Sequence, residues 1–203
     1  MNRPPLFQAL EPVVHAFEIL SVPYCLGGSV ASSALGTART TLDVDLVADL
    51  KQGHTPGFVA QLGDAFYASE TAIAEAIARK GCFNVIHLAT MFKVDVFAIK
   101  ARAFDRVAFQ RRTEGLFSIA DCDRRFFHAT PEDIILYKLE WYRLGDEVSE
   151  RQWQDVLGVL RVQRGRLDLD YLRNWAAELG ISDLFERIRH EAEPSSGQPD
   201  SSK

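Results

Sequence analysis

Apolar residues recur along the chain in two rhythms, and the switches between them lay out its elements. Leu6, Leu10, Val13, Val14, Phe17 and Leu20 fall at helical spacing, which predicts an amphipathic helix over 6–20 packed on a sheet, with His15 on its outer surface. Tyr24-Cys25-Leu26 then reads as a short apolar strand that runs into Gly27-Gly28-Ser29 and a helix of small residues. A second strand follows over 43–48, where Val44, Leu46 and Val47 mark a core position. Residues 52–64 predict a short helix and 66–68 a short strand. Residues 70–79 predict a helix with Ala72, Ile73 and Ile77 inward and Gly81 as its stop. The runs CFNVIHLA (82–89) and MFKVDVFAI (91–99) are separated by almost nothing, so they predict a tight hairpin with Thr90 near its tip.

Beyond this point the rhythm becomes helical. Residues 101–112 predict a short basic helix or a turn flanking a strand, and Leu116–Ile119 one last strand within 114–128. Thr130-Pro131-Glu132-Asp133 is a strong helix start, with Thr as N-cap, Pro at the first position and acids in the first turn. That helix runs to about Leu144, and Ser149 caps the next. Two further helices are expected near 168–179 and 182–191, with Trp175, Leu179 and Leu184 packed on the preceding pair. The tail from Pro194 is polar and rich in Pro, Gly and Ser, the composition of a disordered segment. The expected class is α+β: a mixed sheet flanked by helices over 1–128, a helical hairpin or bundle over 129–193 packed on it, and a disordered tail over 194–203.

Chemistry concentrates between Tyr24 and Asp49. Side chains alternate faces along a strand, so Asp43 and Asp45 project from the same side. Two carboxylates on one face repel each other unless a cation or an ordered network lies between them. Gly27 and Gly28 let the backbone turn tightly and approach a ligand. Ser29 opens a helix whose unpaired N–H groups suit a phosphate. Magnesium takes carboxylate and phosphate oxygens together, which fits Asp43 and Asp45 opposite that turn. In the run 91–99, Lys93, Asp95 and Phe97 share one face of a strand. If that strand lies beside 43–48, Asp95 completes a cluster of three carboxylates; the alternative is an edge-strand aspartate facing water. Across the predicted helical hairpin, Lys138 and Asp155 stand at nearly equal distances from the turn. At a rise of ~1.5 Å per residue they can face one another.

An apolar residue, Gly-Gly-Ser, a spacer and Asp-x-Asp together resemble the signature of the DNA polymerase β-like nucleotidyltransferase superfamily. The run Arg39-Thr40-Thr41-Leu42-Asp43-Val44-Asp45 further resembles its small bacterial members, including abortive-infection and toxin–antitoxin nucleotidyltransferases. The resemblance implies a nucleotidyltransferase-like fold and transfer of a nucleoside monophosphate from a nucleoside triphosphate to a hydroxyl acceptor. Asp43, Asp45 and Asp95 would be the catalytic and metal-holding residues, with two magnesium ions. Gly27, Gly28, Ser29, Arg39, Thr41, Lys138 and Asp155 would contact the nucleotide. Arg39 stays open to being a surface arginine, and the Lys138–Asp155 pair to being a salt bridge between helices. Relatives often place an acid directly after the arginine where Arg151 is here followed by Gln152, which weakens the transfer of a role to Asp155.

Composition narrows the setting without choosing the acceptor. The 203 residues suffice for a sizeable core, and 47% hydrophobic with 25% charged residues is ordinary for a globular protein. A formal charge of −5 argues against a general nucleic-acid coat and tilts the acceptor slightly away from tRNA toward a protein or a small molecule. No run of ~18 apolar residues predicts a membrane span. Cys25, Cys82 and Cys122 lie far apart, which reads as reduced core cysteines in a cytoplasmic protein. A cognate partner protein fits the toxin–antitoxin resemblance. The alternative to an enzyme is the same fold retained as a silent nucleotide-binding or antitoxin-like module.

Overall fold

The computed structural model describes residues 3–37, 43–119 and 122–193. Arg39, Thr41, the side chain of Cys122 and the tail from Pro194 lie outside the described residues. Helix α1 (Pro5–Ile19) leads into β1 (Tyr24–Leu26), α2 (Gly28–Leu35) and β2 (Asp43–Ala48). Then come α3 (Thr55–Leu62), β3 (Phe66–Tyr67), α4 (Glu70–Arg79), β4 (Cys82–His87), β5 (Phe92–Ala98) and α5 (Ala103–Arg111). The chain continues through β6 (Thr113–Ile119), β7 (Cys122–His128), α6 (Pro131–Leu144), α7 (Glu150–Val162), α8 (Leu169–Glu178) and α9 (Ser182–Ala192).

Among the described residues the strands form one mixed sheet in the order β3-β4-β5-β2-β1-β7-β6. Alternation along each strand assigns its two faces. Tyr24, Leu26, Val44, Leu46, Val94 and Val96 point into a core with α1, α3 and α4, where Phe17 and Phe58 stack at 5.0 Å between ring centroids. Each such buried side chain contributes ~1.5–3 kcal/mol relative to an exposed one. The opposite face carries Cys25 and Val47, and there a second core collects Ala31, Phe104, Ala108 and Phe109 with the inner faces of α6 to α9. Cys25 is buried, as expected, whereas Cys82 is an exposed free cysteine and not a core residue.

Helix starts follow the caps. Thr130 Oγ1 accepts from the Asp133 amide at 3.3 Å, and Ser149 Oγ accepts from the Gln152 amide at 3.4 Å. Three local expectations need correction. Ala72 is exposed, and Ala76 joins Ile73 and Ile77 on the inner face of α4. The helix ends at Arg79, as expected, but its left-handed cap is Lys80 (φ 53°) and not Gly81. Residues 113–128 hold a full antiparallel hairpin, β6 and β7, where one strand was expected. Its second strand pairs parallel with β1 through Leu26 and His128, and the Ala129 amide donates to the Leu26 carbonyl at 2.9 Å. Tyr24, Phe117 and Phe126 give the hairpin its apolar inner side, a period too short and broken by Asp123, Arg124 and Arg125 to stand out in the sequence.

Candidate active site

The site is built on three adjoining strands. β1 is antiparallel to β2, with Leu26 opposite Leu46, and the Gly27 amide donates to the Asp45 carbonyl at 2.9 Å. The Gly-Gly-Ser turn is therefore clamped to the strand that carries Asp45. Gly28 has a positive φ of 55°, and a Cβ there would run into the Asp45 carboxylate. Only glycine relieves both constraints at once. Gly27, by contrast, has open space around it. From Ser29 onward the chain is helical, and the Ser29 backbone N–H donates to Asp45.

β2 is parallel to β5 in a register that sets Asp43 beside Lys93, Asp45 beside Asp95 and Val47 beside Phe97. Asp95 thus comes to the face already occupied by Asp43 and Asp45. The Asp45 carboxyl is pushed above the usual carboxylate range, first by burial and then by the charge of Asp95. Lys93 Nζ stands 2.7 Å from Asp95 Oδ2, and that hydrogen bond raises the lysine's proton affinity. As the side chains stand, no group of three His, Cys, Asp or Glu among the described residues could hold a metal ion. The donor chemistry nonetheless fits a hard divalent cation: carboxylate oxygens on neighbouring strands, one of them disfavoured as an anion by burial and a like charge, a penalty that a cation removes.

The helical hairpin closes the site from above. Lys138 on α6 and Asp155 on α7 meet at 2.8 Å, with side-chain exposures of 8% and 7%, and Lys138 also donates to Gln152 Oε1 at 3.1 Å. Lys138 is close enough for its charge to favour the Asp45 anion. Arg151, at the start of α7, reaches Ser29 Oγ with Nη2 at 3.4 Å. Lys138, Gln152, Gly27, Gly28, Ser29 and Asp45 line one cleft of about 430 Å³, whose walls continue over Val47, Phe97 and Phe109 to Trp141 and Leu144. Along one wall Arg102 pairs with Asp105 and Glu140, and Tyr137 donates to Asp105 at 2.9 Å. The Cys25 thiol in this cleft is pushed up to about 12 by burial and stays protonated.

The structure therefore gathers Gly27, Gly28, Ser29, Asp45 and Lys138 around one cleft, and sets Asp43 and Asp95 on the same face of the sheet as Asp45, outside the cleft lining. Asp155 joins through Lys138; Arg39 and Thr41 lie outside the described residues. Two residues near this centre had no assigned role in the sequence reading. Lys93 was visible only as a neighbour of Asp95 on the same strand face. Arg151 was visible as a point of family comparison, because its reach to Ser29 depends on how α7 packs.

No protein-family model matches the chain, and no curated protein matches it in sequence. Solved structures do resemble it. The antibiotic-resistance factor ANT(2'')-Ia superposes with a TM-score of 0.52 at 16% identity, over 93% of this chain and 98% of that one. An antigenic nucleotidyltransferase-like protein from Paracoccidioides brasiliensis gives 0.49 at 18% identity, over 88% and 90%. The lincosamide antibiotic adenylyltransferase LnuA, bound to lincomycin, gives 0.47 at 14% identity, over 80% and 98%. Joined to the mixed sheet and its C-terminal helices, the likeness to ANT(2'')-Ia shows that this chain has the nucleotidyltransferase-like α+β fold.

Proposed function

We propose that the protein is a metal-dependent nucleotidyltransferase that moves a nucleoside monophosphate from a nucleoside triphosphate to a hydroxyl of an acceptor. One observation carries the reading: the Gly27-Gly28-Ser29 turn is bonded directly to the strand of Asp45, while Asp95 stands beside Asp45 in register. A phosphate-binding turn and paired carboxylates on one face are the two halves that this chemistry requires. The triphosphate lies at the start of α2, where the glycines admit it to the backbone. Lys138 and Arg151 neutralise its charge, the lysine as a point charge and the arginine as a planar fork. Asp43, Asp45 and Asp95 would hold magnesium, which would supply stabilisation of the charge developing on the phosphoryl and leaving oxygens. Asp95 orients the acceptor hydroxyl and receives its proton.

A small molecule is the acceptor class favoured over tRNA or protein. The cleft's 430 Å³ falls within the range of small-molecule sites, and the chain's net charge of −5 gives no general attraction for RNA. ANT(2'')-Ia, described as an antibiotic-resistance factor, makes antibiotics the first compounds to try. A toxin–antitoxin setting rests on the 39–45 run alone, and co-purification of a second protein with the chain would support it.

The test uses triphosphates labelled at the α or the γ phosphorus, with magnesium and fractionated cell extract. Transfer of the α label without the γ label, lost in Asp45→Asn and Asp95→Asn, supports the reading. Absence of any α-labelled product with all four triphosphates overturns it. The fraction that holds the label names the acceptor class.

A further inference from the structure

Lys93 stands where the site described above calls for a cation. It lies beside Asp43 across β2 and β5 and two residues before Asp95, so the three side chains leave the same face of the sheet. Its ammonium is 2.7 Å from Asp95 Oδ2 while 40% of its side chain remains exposed. A lysine that exposed has a solvated path away from the sheet, yet its head group is folded down onto the carboxylate. Asp95 itself is only 16% exposed, so the pair is better shielded from water than a typical surface ion pair.

We infer that Lys93 is a resident counter-ion which competes with a divalent cation for Asp95 and so weakens metal binding to the nucleotide-free protein. The inference rests on the nucleotidyl-transfer reading and adds a regulation of that site. The ammonium takes Asp95 Oδ2, and its positive charge opposes a divalent ion that approaches the same carboxylate. The lysine carries one charge on a flexible four-carbon stem, so it neutralises part of the cluster and can swing aside without moving the backbone. Lys93 is thus a positioning residue for the carboxylates. In the resting protein it holds Asp95 partly neutralised and raises the metal concentration needed for half-occupancy.

The experiment measures binding of Mn²⁺ alone to the full chain, by loss of the free-ion electron paramagnetic resonance signal. Wild type, Lys93→Met and Lys93→Arg are compared. Removing a partly exposed pair of this kind is expected to tighten Mn²⁺ binding about two- to fivefold in Lys93→Met. Lys93→Arg keeps the competing charge and stays at or below wild-type affinity, which a purely structural role for the side chain does not require. Lys93→Gln serves in place of Lys93→Met if the latter fails to fold. Equal or weaker binding by the uncharged variant overturns the inference. When that occurs with transfer of the α label intact, the nucleotidyl-transfer reading survives and Lys93 alone is reassigned. If no protein binds Mn²⁺, both fall together.

Discussion

At the scale of single residues, the site turns on two side chains and one missing one. Gly28 has a positive φ and lies against Asp45, so Gly28→Ala meets a strained backbone and a clash together, whereas Gly27 has neither problem. Gly28→Ala is expected to lower stability by more than ~1 kcal/mol and to abolish the triphosphate-induced rise in melting temperature, with Gly27→Ala near wild type in stability. Denaturant titration with and without triphosphate checks this. Asp45 supplies a second expectation. Its carboxyl is raised by burial and then by Asp95, so the folded state favours its protonated form. That contribution to stability is fully present below the ordinary aspartate value of ~3.9 and is lost as pH rises through the raised value. Asp45→Asn cannot ionise, so in chelator it should gain on wild type as pH climbs from acid toward neutral. Magnesium should reverse the order, since a bound ligand at a hundredfold excess over its dissociation constant stabilises wild type by ~2.7 kcal/mol. Melts across pH, with chelator or magnesium, read both effects; equal magnesium shifts in the two proteins would remove Asp45 from the metal site. The Asp-x-Asp spacing and the glycines were legible because period 2 and missing Cβ atoms are written in the sequence. The contact between Lys93 and Asp95 was not, because a head group on four rotatable bonds is placed by its surroundings.

At the scale of elements, α6 and α7 carry the clearest test. Their caps, Thr130 and Ser149, announce both helices, and the equal heights of Lys138 and Asp155 follow from helical rise. Burial was not legible. A pair exposed by only 8% and 7% is not the surface bridge worth ~1 kcal/mol or less, because removing one partner leaves the other's charge buried without its closest counter-ion. Lys138→Met and Asp155→Leu should each cost ~3–5 kcal/mol, and the double variant less than the sum of the two. Equilibrium unfolding of the four proteins gives the coupling. Only the lysine lies in the cleft beside Asp45, so loss of triphosphate binding should accompany Lys138→Met even where the double variant recovers stability. Additive costs would mean that the two residues act apart. The β6–β7 hairpin shows the opposite case: its apolar side depends on contacts with Tyr24 and α1, so its pattern is clear only once the sheet exists.

At the scale of the whole molecule, the sheet and the C-terminal helices are one structure. The second core mixes Cys25, Ala31 and Phe104 with Ile135, Leu157 and Phe185, so a cut after residue 128 would strip one face of the sheet. Apart from the additional strand β7, the expected order of elements and the mixed sheet flanked by helices hold among the described residues, and among them no helix is long and apolar enough to cross a membrane. What the sequence withheld was strand order: β5 beside β2, and β7 beside β1, join segments far apart in the chain, and local patterning carries no record of such partners. The parallel register of β2 and β5 has a consequence for folding quality. A slip of one residue would turn Asp43, Asp45 or Asp95 into the first core and bring Val44 or Val96 to the face that carries the site. A misthreaded molecule is therefore both unstable and inert. If the proposed transfer is the activity, its recovery after refolding doubles as a head-count of correctly threaded chains.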